Sequence, residues 1–207
     1  MQWLPMKSAG ITILVLSALV VGVAGYEGLK WIARHRQPTA AEVKAEVDDL
    51  RAEAAKQHPG MSQTDAMKQV AEAKTHRMMD GADAHTRQRM AAQIFYGSYF
   101  LNTRFRPEYC RQQGVDIAPF VAAYNEVHGE ELTRAQAIFA GAGQPPEAIL
   151  PIVQAELSRM AAQDMNDIGA AQHTTPDATC KLFNDNARAF AAAIALPPQV
   201  RTALMSN

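Results

Sequence analysis

Residues 83–107 read DAHTRQRMAAQIFYGSYFLNTRFRP, and their apolar side chains recur at helical spacing. Met90, Ile94, Leu101 and Phe105 are separated by four or seven residues, as the buried face of an α-helix requires. Pro107 has no backbone N–H to donate, so we expect the helix to end there. The stretch predicts a long, buried helix and indicates a fold built by packing helices together.

Helical patterns continue to the end of the chain. They cover residues 116–143 with a break at Gly129, residues 146–171 with Pro151 in the first turns, and residues 176–197. A short terminal helix follows over 199–205. No segment alternates between apolar and polar residues as a strand would. The sequence therefore predicts an all-α bundle of about four core helices, spanning residues 82–207.

Residues 37–81 predict a thinly apolar helical stalk or hairpin. Thr-Ala-Ala-Glu at 39–42 is a capping box, and the seam behind it consists of Val43, Val47, Leu50 and Ala54. His-Pro-Gly at 58–60 separates this helix from a second one that ends near Asp80. The seam covers less than two heptads, whereas a coiled coil needs about three or four. Homo-oligomerisation through residues 39–80 is the alternative.

Residues 1–36 predict an N-terminal membrane anchor. The run SAGITILVLSALVVGVAGY at 8–26 has no charge, and residues 9–26 approach the roughly 20 apolar residues that span a bilayer. Tyr26 and Trp31 suit the membrane interface, and the basic residues Lys30, Arg34 and Arg36 flank it. A cleaved signal peptide, ending at the small residues 23–25, is the alternative.

The sequence contains two cysteines, Cys110 and Cys180. A pair with no leftover thiol is typical of exported domains, so we expect a disulfide; two buried free thiols are the alternative. Counting positive charges would keep the domain in the cytoplasm, but long domains translocate largely regardless of flanking charge. The prediction is a single-pass protein of the bacterial inner membrane with a periplasmic C-terminal domain.

Composition and motifs narrow the class of function. Twenty Lys and Arg against 21 Asp and Glu give a formal charge of −1, which provides no electrostatic footprint for nucleic acid. Zinc, phosphate-loop and nucleophile motifs are missing. The acidic pairs Glu130–Glu131 and Asp164–Asp167 are interpreted as exposed helix faces. We therefore expect no enzyme, no catalytic residue, no cofactor and no metal site.

The stretch from Phe95 to Arg106 is the most aromatic of the chain. Tyr and Arg are enriched at binding hot spots, so this stretch predicts a partner-binding surface; a helix buried on two sides is the alternative. The predicted partner-binding residues are Phe95, Tyr99, Asn102, Arg104, Arg106 and Tyr109.

The combined features predict a membrane-anchored periplasmic module that binds a protein partner in the periplasm or inner membrane. Examples are a component or chaperone of secretion or envelope assembly, and an immunity protein that neutralises a toxin. The alternatives are a coiled-coil scaffold of the cell envelope and a helical domain that binds a small ligand or a metal.

Overall fold

The computed structural model describes residues 39–142 and 145–206, and all regular secondary structure within these ranges is helical. The prediction of an all-α fold is confirmed. The predicted anchor or signal peptide at 1–36, with its membrane segment at 9–26, lies outside the described residues. Within 39–142 and 145–206, no helix combines the length and the hydrophobicity needed to cross a bilayer.

The helices follow one another with short connections. In chain order they are α1 (Ala40–Gln57), α2 (Gln63–Asp80), α3 (Ala84–Phe100), a π-helix (Leu101–Phe105), α4 (Arg106–Gln112), α5 (Ala118–Val127), α6 (Gly129–Ala142), a 3₁₀-helix (Pro146–Ile149), α7 (Leu150–Gln172), α8 (Pro176–Asp185), α9 (Ala187–Ala193) and α10 (Pro198–Met205).

Helices α1 and α2 form a hairpin that packs on the rest of the molecule. The Thr39 capping box is present, and the Ser62 side chain accepts a hydrogen bond from the Asp65 N–H at the start of α2. The apolar seam of α1 is buried in the same hydrophobic cluster as residues of α3, α7 and α10. Residues 39–80 therefore share a core with the bundle and do not project as a stalk.

The chain does not stop its helix at Pro107, so that prediction is wrong. After α3 the backbone widens into the π-helix, in which the Arg106 N–H donates to the Leu101 carbonyl, five residues earlier. A single π-turn shifts the hydrogen-bond register by one residue. The α-helical register then restarts at Arg106, and Pro107 lies in the first turn of α4, where a missing N–H costs little.

The last predicted core helix is interrupted. Residues 176–197 were expected to form one helix, but α8 ends at Asp185 and α9 begins at Ala187. At the break, the backbone N–H and the side-chain Nδ2 of Asn186 both donate to the Leu182 carbonyl, each over 3.1 Å. The predicted break at Gly129 and the short terminal helix are confirmed.

The interior consists of two hydrophobic clusters. The first cluster joins the hairpin, α3, α6, the first half of α7 and α10. The second joins α4, α5, α8, α9 and the second half of α7 around Cys110 and Cys180. The π-helix carries the chain from the first cluster to the second, and Tyr99 packs against both.

Candidate functional site

The predicted partner-binding residues divide between the interior and the surface. Phe95, Asn102 and Arg106 are at most 1% exposed, so a place for them on an exposed surface is wrong. Their helix is covered on two sides, by the two hydrophobic clusters. Arg104 is exposed, Tyr99 and Tyr109 are half-buried, and a role for these three in binding stays a prediction.

Arg106 is the centre of a buried polar network. Its Nη2 atom lies 3.0 Å from Oδ2 of Asp164 in α7, and its Nη1 atom donates to Oδ1 of Asn102. Its Cζ atom lies 5.1 Å from the ring centroid of Phe183 in α8, a cation–π contact. Burial lowers the pKa of Arg106, while the negative charge of Asp164 opposes that shift. An arginine stays protonated even so, and the fold must neutralise a charge in its interior.

The π-helix supplies polar side chains that satisfy the backbone around it. Asn102 Nδ2 donates to the Ser98 carbonyl over 2.8 Å, and Thr103 Oγ1 donates to the Tyr99 carbonyl over 2.7 Å. Each side chain donates to the carbonyl four residues earlier, and the Ser98 carbonyl also accepts from the Leu101 N–H. Asn102 therefore belongs both to the π-helix and to the polar network around Arg106.

Tyr124 connects α5 to the same polar network. Its hydroxyl lies 3.1 Å from Ser98 Oγ, and burial raises the pKa of Tyr124 to about 12. The His128 ring packs at a tilt against the Tyr124 ring, with 4.4 Å between centroids, and its Nε2 atom lies 2.9 Å from the Ala191 carbonyl oxygen. The side chains of Ser98, Asn102, Arg106, Tyr124, His128 and Asp164 are all buried, so the network joins helices inside the domain.

The expectation that Asp164 and Glu131 lie on exposed helix faces is wrong. Asp164 is 4% exposed and Glu131 is 6% exposed. Oε1 of Glu131 accepts a hydrogen bond from Arg201 Nε over 2.8 Å, which ties α10 to α6. A signal for Asp164 was present in the sequence: it is placed between Met160 and Ile168 on the apolar face of α7.

The surface beside Arg104 carries a groove of about 340 Å³. It is lined by Tyr96, Gln136, Phe139, Ala140, Pro145, Pro146 and Glu147. Arg104 lies over the Phe100 ring at 5.0 Å, and its Nη2 atom is 3.9 Å from Oε1 of Glu147. Burial, and next the negative charge of Glu147, raises the pKa of Tyr96 to about 12, so its hydroxyl stays neutral. Sequence reasoning missed this groove because its walls come from three separate segments.

Cys110 and Cys180 form a disulfide, with Cα atoms 5.6 Å apart and both side chains fully buried. The turn after Cys110 is a Schellman motif: the Val115 N–H donates to the Cys110 carbonyl over 2.9 Å, and the Gly114 N–H donates to the Arg111 carbonyl. Gly114 has a φ of +76°, which favours glycine. These hydrogen bonds fix the backbone next to Cys110 at the C-terminal end of α4.

Residues 39–142 and 145–206 contain no group of three or more His, Cys, Asp or Glu side chains that could hold a metal ion. Comparison of the chain with protein-family models, with curated protein sequences and with solved structures gave no match. The fold and the local chemistry are therefore the basis for a functional conclusion.

Proposed function

We propose that this protein is a membrane-anchored, non-catalytic module that binds a protein partner in the periplasm through the groove beside Arg104. The uncharged run at 9–26 supports the anchor, and the paired cysteines support an oxidising compartment. A component or chaperone of secretion or envelope assembly, or a toxin-neutralising immunity protein, would need these properties.

The observation that carries the proposal is the exposed ion pair at the edge of the groove. Arg104 and Glu147 side chains are 49% and 52% exposed and 3.9 Å apart, and such a pair contributes little to stability. A carboxylate of a partner can therefore replace Glu147 at Arg104 with little loss. Stacking on Phe100 holds the guanidinium in place before a partner arrives.

The groove offers the remaining features of a contact site. Tyr96 and Phe139 meet edge to face, with ring centroids 5.1 Å apart, and form a rigid apolar wall. Gln136 is exposed on the same groove and brings an amide that can donate and accept. An apolar wall with a few fixed polar groups is the usual composition of a binding pocket.

The alternative of an intermolecular coiled coil loses its main support. Its seam, formed by Val43, Val47, Leu50 and Ala54, is at most 5% exposed within the chain itself. A second copy could use this seam only after the hairpin had left the bundle, which would expose the first hydrophobic cluster.

Site-specific photocrosslinking in living cells tests the proposal. The full-length chain carries benzoylphenylalanine in place of Gln136. In the control it replaces Arg188, an exposed residue of α9, the helix that packs in the second cluster. We expect one discrete adduct with a protein from the Gln136 position and none from the Arg188 position.

A pair of matched arginine variants completes the test. Arg104→Ala should abolish the adduct formed from the Gln136 position. Arg188→Ala should leave that adduct unchanged, because Arg188 forms an equally exposed ion pair with Glu126 away from the groove. Equal adducts from both positions, or no adduct from Gln136, would contradict binding at the groove.

A further inference from the structure

The disulfide and the buried ion pair are held by the same two helices. Cys110 follows Arg106 by four residues in α4, and Cys180 precedes Phe183 by three residues in α8. Residues at these separations lie on one face of a helix. The covalent bond therefore fixes α4 and α8 about one helical turn away from the point where the Phe183 ring covers the Arg106 guanidinium.

Helix α8 is what separates Arg106 from water on this side. Phe183 is fully buried against the guanidinium, and α8 also rests closely on α7, which carries Asp164. A Cβ atom added at Gly169 of α7 would come within 2.9 Å of Thr179 Oγ1 of α8. Movement of α8 away from α4 would let water reach two charges that are strongly hydrated when exposed.

We propose that closure of the Cys110–Cys180 bond is the step that permits burial of the Arg106–Asp164 pair, so that oxidation gates the folding of this half of the domain. In the reduced chain α8 opens from α4 and the ion pair hydrates. In the oxidised chain the disulfide holds α8 against α4, and the ion pair is buried. The inference is independent of the groove and of any partner.

The redox step is a thiol–disulfide exchange with a disulfide-bearing oxidant, either a protein dithiol oxidant or oxidised glutathione. The thiolate of one cysteine attacks the oxidant, and one sulfur of the oxidant leaves as a thiol. The second cysteine then displaces the other sulfur. Two thiols of the chain lose two electrons and two protons in total, and the oxidant gains them as two thiols.

A double-mutant cycle on the full-length chain in detergent separates this coupling from the general effect of a cross-link. A cross-link across 70 residues shortens the unfolded chain and changes the folding equilibrium constant by about a thousandfold, whatever lies near it. That factor is the same in wild type and in Arg106→Met/Asp164→Leu, in which the charges are replaced by apolar side chains. Urea unfolding, with and without dithiothreitol, gives the ratio of oxidised to reduced constants for each protein.

We expect the ratio to be at least about tenfold smaller in wild type than in Arg106→Met/Asp164→Leu, because only the reduced wild type gains stability from opening α8 and hydrating its charges, which the disulfide prevents. If the two ratios differ by less than tenfold, the proposal is overturned, and the disulfide acts only by restricting the unfolded chain.

Amide hydrogen exchange of the wild type decides the matter if the apolar variant fails to fold in both redox states. The proposal expects reduction to speed exchange about tenfold or more in peptides of α4 and α8 while peptides of α1 and α2 stay protected. Equal acceleration in all four helices would overturn it.

Discussion

Arg106 Nη2 lies 3.0 Å from Asp164 Oδ2, and this contact joins α4 to α7 where both side chains are almost fully buried. Burying two charges is costly, and their mutual attraction offsets the loss of hydration only in good geometry. The hydrogen bond from Arg106 to Asn102 and the Phe183 ring supply part of that geometry. The pair therefore stabilises the fold only as long as all its partners remain in place.

Asp164→Asn should destabilise the domain by about 3–5 kcal/mol, because the Arg106 cation would lose its buried counter-charge. Urea denaturation followed by circular dichroism measures the change. Asp177→Asn is the matched control: Asp177 pairs with Lys181 over 2.8 Å, but the side chains are 45% and 61% exposed. We expect little change there. Equal losses in the two variants would show that Asp164 has no special role.

Gly169→Ala should destabilise the domain by about 1–3 kcal/mol, because the new methyl group would overlap Thr179 Oγ1 and push α8 from α7. Gly141→Ala is a control in α6, where a Cβ atom meets nothing within 4 Å. That change should leave stability equal or raise it slightly, since alanine favours helix. Thermal unfolding of the three proteins measures both effects, and a stable Gly169→Ala would refute the close packing of α7 and α8.

Gly114→Ala should cost about 1–2 kcal/mol through the backbone alone, because its φ of +76° is unfavourable for a residue with a Cβ atom and no side chain lies near it. Gly60→Ala, also in open space but without a positive φ, is the control and should change stability little. The denaturant midpoints of the wild type and the two variants measure these changes in stability. A neutral Gly114→Ala would rule out the Schellman motif after Cys110.

Tyr96 and Tyr124 should ionise at about pH 12, roughly two units above an ordinary tyrosine, because burial disfavours the phenolate. A raised pKa in the folded state means that the stability from these groups is complete below about pH 10 and is lost as the pH rises towards 12. Ultraviolet titration follows phenolate formation. Tyr124→Phe should remove one late-titrating group, and a Tyr124 that ionises near pH 10 would contradict its burial.

Local chemistry predicted much of this fold from the sequence. The Thr39 capping box, the break at Gly129 and the pairing of Cys110 with Cys180 each depend on a few neighbouring residues or on a count, and they agree with the structure. The continuation through Pro107 depends on a π-turn, for which the sequence carries no simple signal.

The candidate site was harder to predict, because burial depends on which helices meet. The enrichment of Tyr and Arg at binding hot spots favours a surface position for Arg106, whereas its buried partner Asp164 is 58 residues away in sequence and no local pattern connects the two. The groove beside Arg104 combines residues from α3, α6 and the 3₁₀-helix, which no local pattern connects.

The redox state of Cys110 and Cys180 in the cell tests the proposed location and the closed fold together. Intact cells are quenched with acid, free thiols are blocked with N-ethylmaleimide, and the denatured protein is then reduced and labelled with a maleimide polymer. We predict that the full-length chain gains two polymer units, and only after reduction, as expected for a domain that has crossed into an oxidising space. A chain whose two thiols are already blocked before reduction would contradict both the disulfide-closed fold and its place outside the cytoplasm.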